Sequence, residues 1–230
     1  MTKYSFLLLL LLSGVRTMGQ TTDSLQVNFK LYFHQSPLEL GQKYITNTND
    51  TVSIATFKCY ISAIEIQYAD TTVFKETNSY HLLDSESPES FRIPITRQNG
   101  QPVTKVTFSV GVDSIANTSG ALAGALDPVK GMYWAWQSGY INMKVEGQSS
   151  SCNTRKHQFQ FHLGGYLPPF NALRRKEIVL NSKEDSNVII KIDLASFFSN
   201  IRLAETPSVM IPGKPAMELA NQSITMFSPE

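Results

Sequence analysis

Trp134 and Trp136 are the two tryptophans of the chain, and only Ala135 separates them in Gly131-Met-Tyr-Trp-Ala-Trp-Gln-Ser-Gly-Tyr140. A second aromatic stretch, Phe159-Gln-Phe-His-Leu-Gly-Gly165, places His162 nearby in sequence. Indoles give up electrons readily, and a neutral imidazole is a common ligand for copper, zinc and iron. If both stretches are strands, period-two spacing sets Trp134 and Trp136 on one face. A hairpin across residues 147–155 that pairs Glu146 with Lys156 then puts Tyr140 opposite His162 and Trp136 opposite Tyr166. Trp134, Trp136, Tyr140, Gln160 and His162 share a face in that register. A slip of two residues keeps the arrangement and a slip of one destroys it. Two chemistries suit such a face: a redox-capable metal patch, or an aromatic platform for a ligand. A packed aromatic core is the plainer alternative.

The remaining histidines are His34, His81 and His157. His157 has the opposite strand parity to His162, so the two cannot hold one ion together on a regular strand; His81 is the weaker second-ligand candidate. No Cys-x-x-Cys, His-x-His or His-Glu-x-x-His spacing occurs, so nothing has the form of a zinc motif. Monovalent copper is less demanding, because imidazoles and thioethers suit it, and the chain offers Met132, Met143 and Met210. Catalytic patterns are weaker still. Gly-x-Ser-x-Gly is absent, and Asp113 and Asp127 sit at loop edges where aspartate usually caps or turns the backbone.

Residues 1–19 read as a secretory signal, with Lys3, an apolar run from Phe6 to Leu12, and Thr17-Met-Gly19 as the cleavage site. The apolar run is far shorter than the roughly 20 residues needed to cross a bilayer, and no later stretch approaches that length. Loss of Lys3 and Arg16 lowers the basic count from 20 to 18 against 19 acidic residues, so the mature chain is nearly neutral. Its longest basic block, Arg174-Arg-Lys176, is a short solvated run, which argues against a nucleic-acid partner. Cys59 and Cys152 are the only thiols. An oxidising compartment permits a bridge that closes a loop of about 90 residues and contributes up to roughly 4 kcal/mol. Cys59 equally suits a buried position as a small apolar residue.

Strands must position the candidate face. Alternation predicts strands at 25–33, 57–68, 73–74, 80–83, 91–95, 103–113, 131–146, 156–163, 177–180 and 188–194. Residues 114–130, small and Gly-punctuated, predict a long ordered loop, and such loops are often functional. Helical signals come late: a turn capped by Asp193, and a segment from Pro215 to Phe227 with Met217, Ala220, Ile224 and Phe227 on one stripe. A hydrophobic content of 42% with 17% charged residues suffices to bury a core. These features predict an all-β fold: a single antiparallel β-sandwich domain over residues 20–230, with a short C-terminal helix.

Phe57-Lys-Cys-Tyr-Ile-Ser62, Tyr80-His-Leu-Leu-Asp84, Phe108-Ser-Val-Gly-Val-Asp113, residues 119–128, the Trp-x-Trp-x-x-Gly-Tyr segment at 134–140, and Phe161-His-Leu-Gly164 occur in this order. In these segments the chain resembles the MbnP-like family. Further matches are Met210-Ile-Pro-Gly213, Leu219-Ala220 and Met226-Phe227. The resemblance spans nearly the whole mature chain, most like members from Bacteroidetes-type bacteria. The resemblance implies an exported, non-catalytic, periplasmic or secreted β-sandwich related to methanobactin-associated copper proteins. Some relatives bind copper beside a tryptophan oxidised to kynurenine by a di-haem partner of the cytochrome c peroxidase type. Carried onto this chain, the metal ligand is His162 and the oxidisable tryptophan is Trp134 or Trp136. Two features depart from the best-studied members. Leu40-Gly41 and Gly164-Gly165 lack adjoining cysteines, and the first strand carries Lys30-Leu31-Tyr32 where many relatives place a histidine. From a different class, the rival expectation is a metal-free module that binds a carbohydrate or protein, with Trp134, Trp136 and Tyr140 stacking on the ligand.

Overall fold

The computed structural model describes residues 24–96, 100–137, 139–184 and 187–230; the expected signal at 1–19 lies outside the described residues. The first half of the chain supplies β1 (Ser24–Phe33), β2 (Thr51–Tyr68), β3 (Tyr80–Asp84), β4 (Arg92–Thr96) and β5 (Val103–Val110). The second half supplies β6 (Tyr133–Trp134), β7 (Gly139–Ser149), β8 (Gln158–Gly164), β9 (Arg174–Glu184), β10 (Asn187–Asp193) and β11 (Phe227–Pro229). Short helices lie at α1 (Ser114–Thr118), α2 (Leu194–Phe197) and α3 (Lys214–Ser223).

Two sheets face each other. In the smaller, β11, β10 and β1 run side by side, and β4 pairs with the far edge of β1. In the larger, the order is β9, β5, β2, β7, β8, with β3 along the other side of β2 and β6 against β7. Side chains that alternate along each strand meet between the sheets. Leu25, Val27 and Phe29 of β1 pack with Val188, Ile190 and Ile192 of β10, and with Phe57, Phe108 and Phe161 of the opposite layer. This is the expected all-β sandwich with its C-terminal helix. Most pairings are antiparallel, but β1 pairs with β10 in parallel, Val27 beside Val188. That pairing ties the start of the described chain to a strand near its end.

The eighteen-residue β2 serves two neighbours in turn, which is why it is so long. Its first half pairs with β7 and its second half with β5, and the register shifts around Ala63, whose φ is +49°. At the C-terminal end, Asp193 caps α2 by accepting from Ala195 N at 3.1 Å, as expected. The later helix runs over Lys214–Ser223, and a single 3-10 turn carries the chain on to Phe227.

A second, smaller core covers the outer face of the larger sheet. Tyr60, Leu82, Tyr140 and Ile141 from the sheet pack there against Val112, Ala116, Leu126, Met132 and Trp134. Residues 111–137 form its cover, so the expected long loop is a structured lid of one α-helical and two 3-10 turns. Asp113 and Asp127 act as caps, accepting from Ala116 N at 2.9 Å and Val129 N at 3.0 Å. Asn117 pins the lid to the sheet. Its Nδ2 donates to the carbonyls of Val112 and Asp113, and its Oδ1 accepts from Tyr140 N at 2.8 Å.

Three expectations need correction. Residues 131–146 are not one strand: the chain turns after Trp134, so β6 and β7 form a small hairpin and Trp136 lies in the turn. The β7–β8 register differs as well. His162 pairs with Lys144, not Tyr140, and Glu146 pairs with Gln160, not Lys156. The reason is local, because β7 continues through Gly147 to Ser149 before it turns. Gly147 is required there: a methyl on it would lie 2.1 Å from the Ser53 carbonyl and 2.5 Å from the Phe159 ring. From Met143 to Gln148 the four-residue slip is even, so facing is preserved there, and the register shifts between Ile141 and Met143. Finally, Cys59 and Cys152 are free thiols, both buried. Cys59 pairs across from Met143, while Cys152 follows Ser149 at the Val52 end of β2. That places them on the order of 20 Å apart along the strand, far beyond disulfide reach.

Candidate redox and metal face

Alternation along β8 sorts its side chains between two environments. Phe159, Phe161 and Leu163 point into the main core, so His162 and the Gly164 position point to the outer face. There His162 belongs to a row that crosses four strands: Asp84 on β3, Lys58 on β2, Lys144 on β7 and His162 on β8 are successive cross-strand partners. Lys58 binds Asp84 at 2.8 Å and Glu86 at 2.9 Å. Burial works against the Lys58 charge, but these two carboxylates outweigh it and hold the amine above the usual lysine value. Among the described residues, no carboxylate lies within salt-bridge distance of the Lys144 amine. It donates to Gly131 O at 2.6 Å, and burial depresses its pKa.

His162 is 7% exposed, and its Nε2 lies 2.6 Å from Glu146 Oε1. That hydrogen bond holds the Glu146 carboxyl below its ordinary pKa, against the opposing effect of burial. A neutral His162 that donates from Nε2 to this carboxylate presents its lone pair at Nδ1. Carboxylate-oriented histidines of this kind are common second-sphere arrangements around metals.

Trp134 lies on the same face. A methyl built on Gly164 would sit 2.6 Å from its ring, so the indole occupies the space beside the position two residues beyond His162. Trp134 is 6% exposed and Trp136 65%, with their ring centroids 6.0 Å apart. The structure therefore brings His162, Trp134 and Trp136 to one side of the sheet. Tyr140 points there too, but it is buried in the second core: its hydroxyl donates to Gly120 O and accepts from Leu122 N.

His81 is elsewhere. It is three residues from Asp84 on β3, so it faces the opposite way from the charged row, and it is separated from β8 by three strand spacings, about 14 Å. Its Nε2 is 2.8 Å from Glu76 Oε2. His81 and His162 therefore cannot share an ion. His34 contacts Ile45 O, and His157 contacts Cys152 O. Met143 faces the main core, Met132 lies in the second core, and Met210 is partly exposed just past the Phe161–Val209 pairing. Among the described residues, no three His, Cys, Asp or Glu side chains gather to hold a metal ion. Chemically, the face offers one oriented imidazole with its carboxylate, flanked by two indoles.

Sequence reasoning missed Glu146 as the partner of His162, because the assumed register placed it opposite Lys156. It also missed a cleft of about 230 Å³ beside Trp134, walled by Tyr166, Leu167, Pro168, Phe170 and Pro212 with Gln137 at one side. The lone signal was the Gly-Gly-Tyr-Leu-Pro-Pro-Phe run at 164–170, whose apolar side chains fit neither a strand nor a polar turn.

A sequence profile of the MbnP family matches residues 22–211. Comparison with solved structures finds MbnP from Methylosinus trichosporium at 15% identity and a TM-score of 0.49, covering 80% of this chain and 78% of that one. Comparison with curated proteins gives no match.

Proposed function

The chain belongs to the MbnP family, and from that premise we propose that it is an exported, non-catalytic copper-binding protein whose outer sheet face carries the metal and redox chemistry. His162 supplies the imidazole ligand through Nδ1, and Glu146 orients it from the other ring nitrogen. The observation that carries this reading is Trp134 packed over Gly164, on the face that also presents His162. Copper bound there would be held by the His162 imidazole, with its remaining donors supplied from outside the face. When bound, copper supplies one-electron redox chemistry beside the indoles. Trp136 is the indole that an oxidant reaches from solvent. Oxidising an indole requires an acceptor for its electrons that β-sandwich side chains do not provide, so a di-haem cytochrome c peroxidase-type partner is part of the proposal. The test is copper content of protein taken from its native periplasm, with His162→Ala alongside. Loss of copper in the variant supports the reading, and unchanged copper overturns it.

A second reading is favoured by the cleft beside Trp134, whose aromatic and proline walls suit a metal-free ligand-binding module. Titration with a carbohydrate panel, read by tryptophan emission, tests it, and an unresponsive emission rejects it.

A further inference from the structure

The two cores differ in the kind of aromatic ring they hold. Phenylalanine dominates the core between the sheets, whereas among the described residues the second core and its rim contain Tyr60, Tyr80, Tyr133, Tyr140 and Trp134 and no phenylalanine. Phenylalanine resists one-electron oxidation, while tyrosine and tryptophan undergo it. Trp134 and the four tyrosines belong to one packed cluster, with Trp136 against Trp134. Tyr133 and Tyr140 have centroids 4.9 Å apart, Tyr60 and Tyr140 6.1 Å, and Trp134 and Trp136 6.0 Å. One end of this group, Trp136, is at the surface.

A tyrosine loses an electron readily only if its phenolic proton has somewhere to go. Tyr60 donates to Ala125 O and Tyr140 to Gly120 O, and neither carbonyl is a base. Tyr80, packed against the same cluster, instead donates a short hydrogen bond to the Asp113 carboxylate. Asp113 is itself fixed by capping α1 through its other oxygen.

We propose that the second core is a relay that carries an electron hole inward from Trp136, through Trp134 and the tyrosine cluster, to Tyr80. The oxidant is any one-electron acceptor that reaches the surface at Trp136. Trp136 loses one electron to it. Tyr80 then returns one electron to Trp136, its O–H bond breaks, and the proton passes to Asp113. The balance is one electron gained by the oxidant, one neutral phenoxyl radical on Tyr80, and one protonated Asp113. The relay deepens the redox reading of this face but needs no copper, so its failure and the failure of the copper proposal are separable.

The test is flash photolysis of the protein, expressed without any partner and free of metal, with a ruthenium tris-bipyridine photo-oxidant and a sacrificial quencher. Wild-type protein should show a tryptophan radical decaying into a tyrosyl radical, read by transient absorption and by electron paramagnetic resonance. Tyr80→Phe, which removes one hydroxyl, should lower the tyrosyl yield several-fold and prolong the tryptophan radical. Asp113→Asn keeps a capping residue and should act in the same direction. Trp136→Phe should suppress formation of both radicals. A tyrosyl yield unchanged by Tyr80→Phe, in variants with wild-type circular dichroism, would overturn the proposal, as would full radical formation in Trp136→Phe.

Discussion

The indole of Trp134 fills the space that a side chain at residue 164 would need: a Cβ there would lie 2.6 Å from the ring and 2.6 Å from the Tyr140 carbonyl oxygen. The carbonyl is backbone and cannot yield, and the ring is wedged in the second core. Gly164→Ala should therefore destabilise the protein by about 1–3 kcal/mol, in the range of overpacked cores. Thermal unfolding followed by circular dichroism should show Tm lowered by several degrees, with red-shifted emission as Trp134 is expelled. A variant with wild-type Tm and emission would contradict this placement.

The two indoles should respond differently to solvent. With Trp136→Phe, the remaining Trp134 should emit to the blue and resist quenching by iodide, because it is 6% exposed. With Trp134→Phe, the remaining Trp136 should emit to the red and quench several-fold more strongly. Equal quenching in the two variants would place both rings in one environment, contrary to the structure.

Copper binding should depend on the carboxylate as well as the imidazole. Glu146→Gln removes the charge that orients His162 through a 2.6 Å contact, and loss of such an outer-sphere partner typically weakens metal affinity about 10–100-fold. His81→Ala should leave copper affinity unchanged, since His81 faces away from the row that contains His162. Competition titration with a copper(I) chelator measures both, and a weakened His81→Ala with an unaltered Glu146→Gln would reverse the assignment.

Stability should fall in acid partly through Glu146. Its carboxyl is held below the ordinary range chiefly by the His162 hydrogen bond. A depressed folded-state pKa means the contribution is fully present above the unfolded carboxylate value, near 4.3, and is lost as pH falls through the folded value. Denaturant unfolding of wild-type protein and Glu146→Gln at neutral pH and at about pH 3 should therefore show a gap at neutral pH that narrows in acid. A constant gap would mean that Glu146 acts by shape alone.

The cysteines should behave as isolated core thiols. Both are buried, and burial raises the pKa of each, so neither offers a reactive thiolate. A thiol reagent should label neither in the native protein and both after unfolding, and reductant should leave Tm unchanged. A Tm drop of several degrees on reduction would point to a bridge.

Strand placement was legible because alternation of apolar and polar residues reports which face of a ribbon is buried. Val188, Ile190 and Ile192 declared their strand, and the Asp193 turn and the late helix followed from capping and stripe patterns. Strand parity put His162 on the outer face of its strand although the assumed pairing was four residues out, whereas the tryptophans reach that side through the β6–β7 hairpin, which parity along one continuous strand did not predict. The partner of His162 was not legible. It depended on how far β7 runs before turning, and the close approach of Gly147 to Ser53 and Phe159 sets that.

Taken alone, the order of residues determined an all-β sandwich and which side chains of each strand share a face, since local periodicity is a property of the chain itself. Only the tertiary structure decided that residues 111–137 fold back as a lid, that Trp134 is sealed while Trp136 stays exposed, and that His81 is remote from His162. Those outcomes depend on which strands become neighbours and in what register. Contacts between segments far apart in sequence settle both, and no local pattern records them.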